Sequence, residues 1–108
     1  MSVIQTGQTC FALWRDKYYY PAVIEDVLLH RVKVAFLDGH KGEVREEDIV
    51  DLQEAFKTMR FQGRWKNGLV FYKGTITSHN PMVMKYDDGY VEQIELKQLR
   101  GRRSDNPF

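Results

Sequence analysis

The sequence predicts an all-β protein: two small β-barrels in tandem with a short connecting helix. Three observations predict it. The chain repeats itself at an offset of about fifty residues, the repeated segments combine strand composition with turn dipeptides, and the stretch between them changes to helical spacing. At 108 residues the chain accommodates one domain or two minimal barrels of roughly 50 residues each. The repeat selects the second option, with barrel one over 5–53, barrel two over 54–101 beginning with a short helical lead-in, and a flexible basic tail over 102–108.

The first copy runs from Cys10-Phe11-Ala12-Leu13-Trp14 through Tyr20-Pro21-Ala22-Val23-Ile24 to Val34 and Gly39, then Val44 and Asp48-Ile49. The second runs from Phe61 to Trp65, from Tyr72 to Ile76 and from Met84 to Gly89, then Ile94 and Gln98-Leu99. Ala22 to Val27, Arg31 to Phe36, Val70 to Ile76 and Met82 to Tyr86 are rich in β-branched and aromatic residues and predict strands. Asp38-Gly39, Asn67-Gly68 and Asp88-Gly89 are pairs that tolerate positive φ and predict the turns between them. Ser78 to Pro81 predicts a further loop. Between Asp51 and Met59, the spacing of Leu52, Ala55, Phe56 and Met59 predicts about two helical turns behind an Asp51 cap. A helix that short must bury its apolar face against a barrel, so the two units are expected to pack together.

Composition narrows the function. A formal charge of +1, from 16 basic and 15 acidic residues, provides no overall field for a polyanion or an anionic membrane. Local nucleic-acid contact falls to Arg100, Arg102 and Arg103, with Arg64, Lys66 and Lys73 as further candidates. Cys10 is the single cysteine and sits in an apolar run, which predicts a core residue in a reducing compartment. Scattered His30, His40 and His79 have no cysteine set at metal-ligand spacing, and no phosphate loop or nucleophile elbow occurs, so neither metal, cofactor nor enzymatic activity is expected. No apolar stretch approaches the ~20 residues of a membrane span. The N-terminal residues lack signal-peptide character, so an intracellular monomer is expected.

One constellation recurs in both copies: Trp at the end of a strand, Tyr opening the next, an aromatic closing the third, then Asp-Gly and a further ring. In the second copy it is Trp65, Tyr72, Tyr86, Asp88 and Tyr90; in the first, Trp14, Tyr20, Phe36, Asp38 and His40. Core packing explains any one of these rings, since small barrels need large side chains. It does not ask for the set to recur. Rings around an alkylated ammonium replace weakly held water with cation–π attraction, about 0.5 to 2 kcal/mol per ring. A carboxylate at the rim accepts a hydrogen bond from any remaining N–H, which favours mono- and dimethyl-lysine.

The segments Trp65 to Ile76 and Tyr86 to Tyr90 resemble the Tudor family, in particular its tandem pairs, whose barrels are SH3-like. The first copy, through Cys10 to Trp14 and Tyr20-Pro21-Ala22, is similar to Tudor domains that prefer methylated arginine. The resemblance covers roughly 7–52 and 59–100. It implies a reader of methylated lysine, with methylated arginine as the alternative, acting on a partner peptide such as a histone tail and residing in the nucleus if the source is eukaryotic. The cage residues it implies are Trp65, Tyr72, Tyr86, Asp88 and Tyr90, with Trp14, Tyr20, Phe36 and Asp38 as a second cage. His40 departs from the pattern, standing where the family carries an aromatic wall, and a protonated imidazole there would repel a cation. The Trp14 to Tyr20 interval is also one residue shorter than Trp65 to Tyr72. Two other readings of the residues stay open: nucleic-acid binding, and a pair that binds unmodified protein.

Overall fold

The computed structural model describes residues 4–103. It is mostly antiparallel β-sheet with one α-helix. The strands are β1 (Thr9–Leu13), β2 (Tyr19–Val27), β3 (Val32–Phe36), β4 (Lys41–Val44) and β5 (Ile49–Asp51), followed by α1 (Leu52–Thr58). Then come β6 (Met59–Arg64), β7 (Phe71–His79), β8 (Met82–Tyr86), β9 (Val91–Gln93) and β10 (Leu99–Arg103). Single 3-10 turns at Glu46–Asp48, Trp65–Asn67 and Leu96–Gln98 interrupt them. No helix among the described residues is long and apolar enough to cross a membrane.

The internal repeat survives as topology. The first five strands pair in the order β4-β3-β2-β1-β5 and the last five in the order β9-β8-β7-β6-β10. Both long second strands shift register near the same point, between Ile24 and Asp26 and between Ile76 and Ser78. The halves share one sheet because Gly101 of β10 pairs with Tyr19 of β2. That sheet does not close on itself, so the described pairing differs from the closed barrels expected of each copy.

The hairpin turns repeat in detail. Phe36 N–H donates to the His40 carbonyl (2.7 Å) and Tyr86 N–H to that of Tyr90 (2.8 Å). Gly39 and Gly89 supply φ of +99 and +95, the left-handed position that a three-residue hairpin loop places at its end. Asp38 and Asp88 each accept the N–H two residues on, at 3.0 and 2.9 Å, the local bond that suits Asp to turns. The turn after Trp65 bears out positive φ at Asn67 but not at Gly68. Lys66 and Asn67 take positive φ, +50 and +56, while Gly68 stays at −79.

Two buried clusters divide the interior. One contains Cys10, Ala12, Ala22, Ile24, Val34 and Phe36 of the first half. The other contains Phe61, Met84, Tyr86, Ile94 and Leu99 of the second half together with Phe11, Tyr19 and Val50 of the first. β1 is therefore buried on both faces, Cys10 and Ala12 toward one core and Phe11 toward the other, which is why its sequence is continuously apolar. Its counterpart β6 faces one core and alternates, with Met59, Phe61 and Gly63 buried and Arg60 exposed. The α1 helix closes the seam. Asp51 caps it through the Gln53 N–H (3.2 Å), Ala55 is fully buried, and Phe56 meets Phe11 and Phe61 at ring separations of 6.4 and 5.7 Å.

Cys10 is a core residue, as expected. Burial first and the nearby Asp51 charge second push its thiol up to about 12, so the reactive thiolate is suppressed.

The tail expectation needs correcting. β10 runs through Arg103 and pairs Arg102 and Arg103 with Arg60 and Met59, so these two arginines belong to a strand, and the rest of the expected tail, 104–108, lies outside the described residues.

Gly74 on β7 pairs with Tyr86 of β8 and leaves no room for a side chain. A Cβ there would lie 2.7 Å from the Lys85 carbonyl oxygen and 2.8 Å from Met84 Cε. Gly74→Ala is expected to destabilise the protein by about 1 to 3 kcal/mol through overpacking against backbone, measurable as a lower urea midpoint with unchanged slope.

Candidate functional site

The second constellation assembles at the turns flanking β6, β7 and β8. Trp65 follows β6, Tyr72 lies on β7, and Tyr86 to Tyr90 span the β8–β9 turn. Trp65, Tyr72, Tyr86 and Asp88 line a hollow of about 450 Å³ with Lys73 and Asp87. Tyr90 joins through its ring, edge-on to Trp65 at 5.7 Å and stacked on Tyr86 at 6.3 Å. Trp65 and Tyr72 stand nearly perpendicular at 6.4 Å.

These rings are not equivalent. Tyr86 is 3% exposed and belongs to the core, so it forms a floor rather than the wall the sequence suggested. Trp65, Tyr72 and Tyr90 are 39%, 49% and 40% exposed. Folding does not account for three large rings left in water side by side. Among the described residues Asp88 forms no ion pair, and one of its oxygens accepts only the Tyr90 N–H, so carboxylate capacity faces the hollow.

Glu92 is the supporting residue the sequence did not reveal. Its Oε2 accepts the Tyr86 hydroxyl (2.7 Å) and the Lys66 N–H (3.1 Å). Burial, then the Glu92 hydrogen bond and the charges of Glu92 and Tyr90, raise the Tyr86 phenol well above its ordinary value. The hydroxyl therefore stays a donor. Through the Lys66 N–H, Glu92 also holds the left-handed turn, a conformation costing roughly 1 to 2 kcal/mol for a non-glycine residue. That turn lays the Lys66 ammonium over Trp65 at 4.7 Å, with Tyr90 at 5.9 Å. The rings already attract a cation supplied by the chain itself.

The first constellation is also brought together, but into a different environment. Trp14, Tyr20, Phe36, Asp38 and His40 all line one cleft of about 310 Å³. Trp14 meets Phe36 edge-on at 5.1 Å and His40 at 5.8 Å. Phe36, like Tyr86, is a buried floor at 5% exposure. The opposite wall comes from the second half: Arg64, Leu69, Phe71 and Lys97. Nothing in the repeat could reveal that wall, because it depends on how the halves pack.

His40 changes the chemistry of this cleft. Asp38 accepts the His40 N–H through one oxygen (3.0 Å) and faces the His40 Nδ1 with the other (3.0 Å). Desolvation works to raise the Asp38 pKa, but the His40 hydrogen bonds and charge outweigh it and the net shift is downward. Such a depressed carboxyl stabilises the fold above its unfolded pKa and ceases to do so as pH falls through its folded value. Both side chains are more than half exposed, so the contribution is small. The carboxylate that a cationic ligand would use is already committed.

The arginines offered for nucleic acid are engaged within the fold. Arg100 stacks on Tyr18 and Phe71 at 3.9 and 4.2 Å. It also donates to Gln62 Oε1 (2.8 Å) and the Tyr20 hydroxyl (3.1 Å). Arg103 donates to the Tyr19 hydroxyl (2.8 Å) and the Glu47 carbonyl (3.0 Å). Arg102 lies over Tyr18 at 5.2 Å. Their planar forks bind tyrosines across the seam between the halves. In the run Tyr18-Tyr19-Tyr20, Tyr19 enters the core while Tyr18 and Tyr20 share the Arg100 side, in keeping with alternation along an extended chain.

Compared with protein-family models and with curated proteins, the chain matches none.

In His40→Ala the carboxyl midpoint of Asp38, followed by carbon-13 NMR, is expected to rise from its depressed value toward the ordinary carboxylate range, because the imidazole hydrogen bond and charge are lost while the backbone N–H of residue 40 still donates.

Proposed function

We propose that this protein is a non-enzymatic reader of methylated lysine in a partner peptide, with methylated arginine as its alternative ligand, and that Trp65, Tyr72, Tyr90 and Asp88 form the receiving cage over a Tyr86 floor. In this reading the two five-stranded halves are tandem Tudor-like barrels of 5–53 and 54–101, and the natural partner is a flexible tail such as that of a histone, a nuclear partner if the source is eukaryotic. The observation that carries the reading is the trio of exposed rings beside an uncommitted carboxylate.

Charge supports the choice of the second site over the first. Two carboxylates, Asp87 and Asp88, line the second hollow with Lys73, and the Lys66 ammonium lies over its Trp65 ring. The first cleft has two cations, Arg64 and Lys97, against one carboxylate already paired with His40. An alkylammonium meets less opposing charge in the former than in the latter.

The deciding experiment is an NMR titration of the labelled protein with unmodified, mono-, di- and trimethyl-lysine peptides and a methylarginine peptide. Saturable shifts of the Trp65 indole with methylated peptides alone are expected, in the micromolar to near-millimolar range of roughly 4 to 8 kcal/mol. Equal shifts with the unmodified peptide, or none with any, would overturn the reading.

Two variants refine it. Tyr72→Ala, on an exposed ring, is expected to weaken binding about tenfold, the loss of roughly 1.4 kcal/mol from one cage wall. Lys66→Ala, which removes the chain's own cation from Trp65, is expected to tighten binding about two- to fivefold, read from the same titration.

A further inference from the structure

The cleft between the two halves has a composition that its own cage-like residues do not explain. Its cations, Arg64 and Lys97, face the cleft without strong partners. The Arg64 guanidinium reaches carbonyls of Gly68 and Lys97 at 3.5 and 3.4 Å, beyond the usual hydrogen-bond range. Lys97 pairs with Glu95 at 3.3 Å between half-exposed side chains, an interaction worth little in water. Gln98 ties the Arg64 backbone to the residue that opens the Leu96–Gln98 turn: its side chain donates to the Arg64 carbonyl (3.1 Å) and accepts the Glu95 N–H (2.9 Å).

The aromatic walls have already taken up cations from the chain. Arg15 lies over Trp14 at 4.7 Å and Arg100 over Phe71 at 4.2 Å. Asp38 is committed to His40. Meanwhile Leu69 is 91% exposed and Leu37 is 37% exposed at the same cleft, apolar surface that folding leaves uncovered. The volume of about 310 Å³ is at the small end of ligand pockets and suits one large side chain with its flanking backbone.

We propose that this cleft is a second binding site, distinct in chemistry from the methyl-lysine cage, and that it takes an unmodified peptide in which a large apolar side chain is followed directly by a carboxylate residue. The apolar side chain rests against Trp14, Phe71 and Leu69. The carboxylate meets Arg64, which forms no ion pair among the described residues, and Lys97, which Glu95 holds only weakly. Both halves contribute to the site, so neither provides it alone.

The chain has two tryptophans, one per site, so the indole N–H signals of the whole protein report on each independently. The probes are acetyl-Gly-Phe-Glu-Gly-amide, its Gln twin, a trimethyl-lysine peptide and a short oligothymidylate. The Trp14 indole is expected to shift saturably with the Phe-Glu peptide, with Trp65 unmoved, and the Gln twin to bind about fivefold more weakly, the loss of one charge-assisted contact. Lys97→Glu, on an exposed side chain, weakens the Phe-Glu peptide by a similar factor, and Arg64→Gln repeats the test from the other cation. No Trp14 shift, equal affinity for the Gln twin, or a Trp14 response to trimethyl-lysine or oligothymidylate in place of the Phe-Glu peptide would each overturn the proposal. None of these outcomes bears on Trp65, so the reader function stands or falls separately.

Discussion

Phe11 is fully buried on the face of β1 that looks away from its own half, and the rest of the molecule depends on that placement. Its ring lies 5.5 Å from Phe61 and 6.4 Å from Phe56, so a strand of the first half, a strand of the second and the connecting helix meet on one side chain. Burying such a ring is worth roughly 1.5 to 3 kcal/mol, and its removal from a packed core costs about 3 to 5. Two halves this small would otherwise each have a marginal core. By sharing one, they become a single body, and the surface between them acquires a fixed shape.

That shared seam explains the fate of the arginines. A strand edge where β10 meets β2 through one residue pair, Gly101 with Tyr19, is a weak place in the sheet. Arg100 and Arg103 bridge it with stacked guanidinium planes and hydrogen bonds to Tyr20 and Tyr19. Their charge is a structural element. Sequence alone reads three basic residues near the end of a chain as a free patch; only the register of β10 reveals that they face tyrosines some eighty positions away.

Much of the architecture was legible because period and turn chemistry are local. The strand at Met82 to Tyr86, the short helix after Asp51, the burial of Cys10 and the paired Asp-Gly turns all follow from spacing and φ preference within a few residues. So did the grouping of both aromatic constellations, since ring positions at strand ends travel with the hairpins that hold them. What was illegible is non-local or depends on solvent. Tyr86 and Phe36 are floors because each closes a core beneath its hairpin. Glu92 carries no motif, and its importance appears only when Tyr86 and the Lys66 N–H converge on one carboxylate. Of the Asn67-Gly68 pair only Asn67 takes positive φ, joined by Lys66, which the Glu92 contact holds in a conformation its side chain disfavours.

Two copies of one hairpin thus support opposite electrostatics through a single position. At Tyr90 the residue following Asp-Gly stacks on the floor and leaves the aspartate oxygen facing the hollow; at His40 the same position turns an imidazole back onto the aspartate. The backbone bonds are the same in kind and nearly the same in length, so the difference is carried by the side chain alone. Fusion of the halves then amplifies it. Arg64 follows the β6 register and Lys97 the 3-10 turn of the second half, and packing brings both to the cleft where the first half's aspartate already faces the His40 imidazole. A duplicated scaffold can change ligand class without altering its strands, since the charge at each mouth is set by one ring position and by which neighbour the seam presents to it.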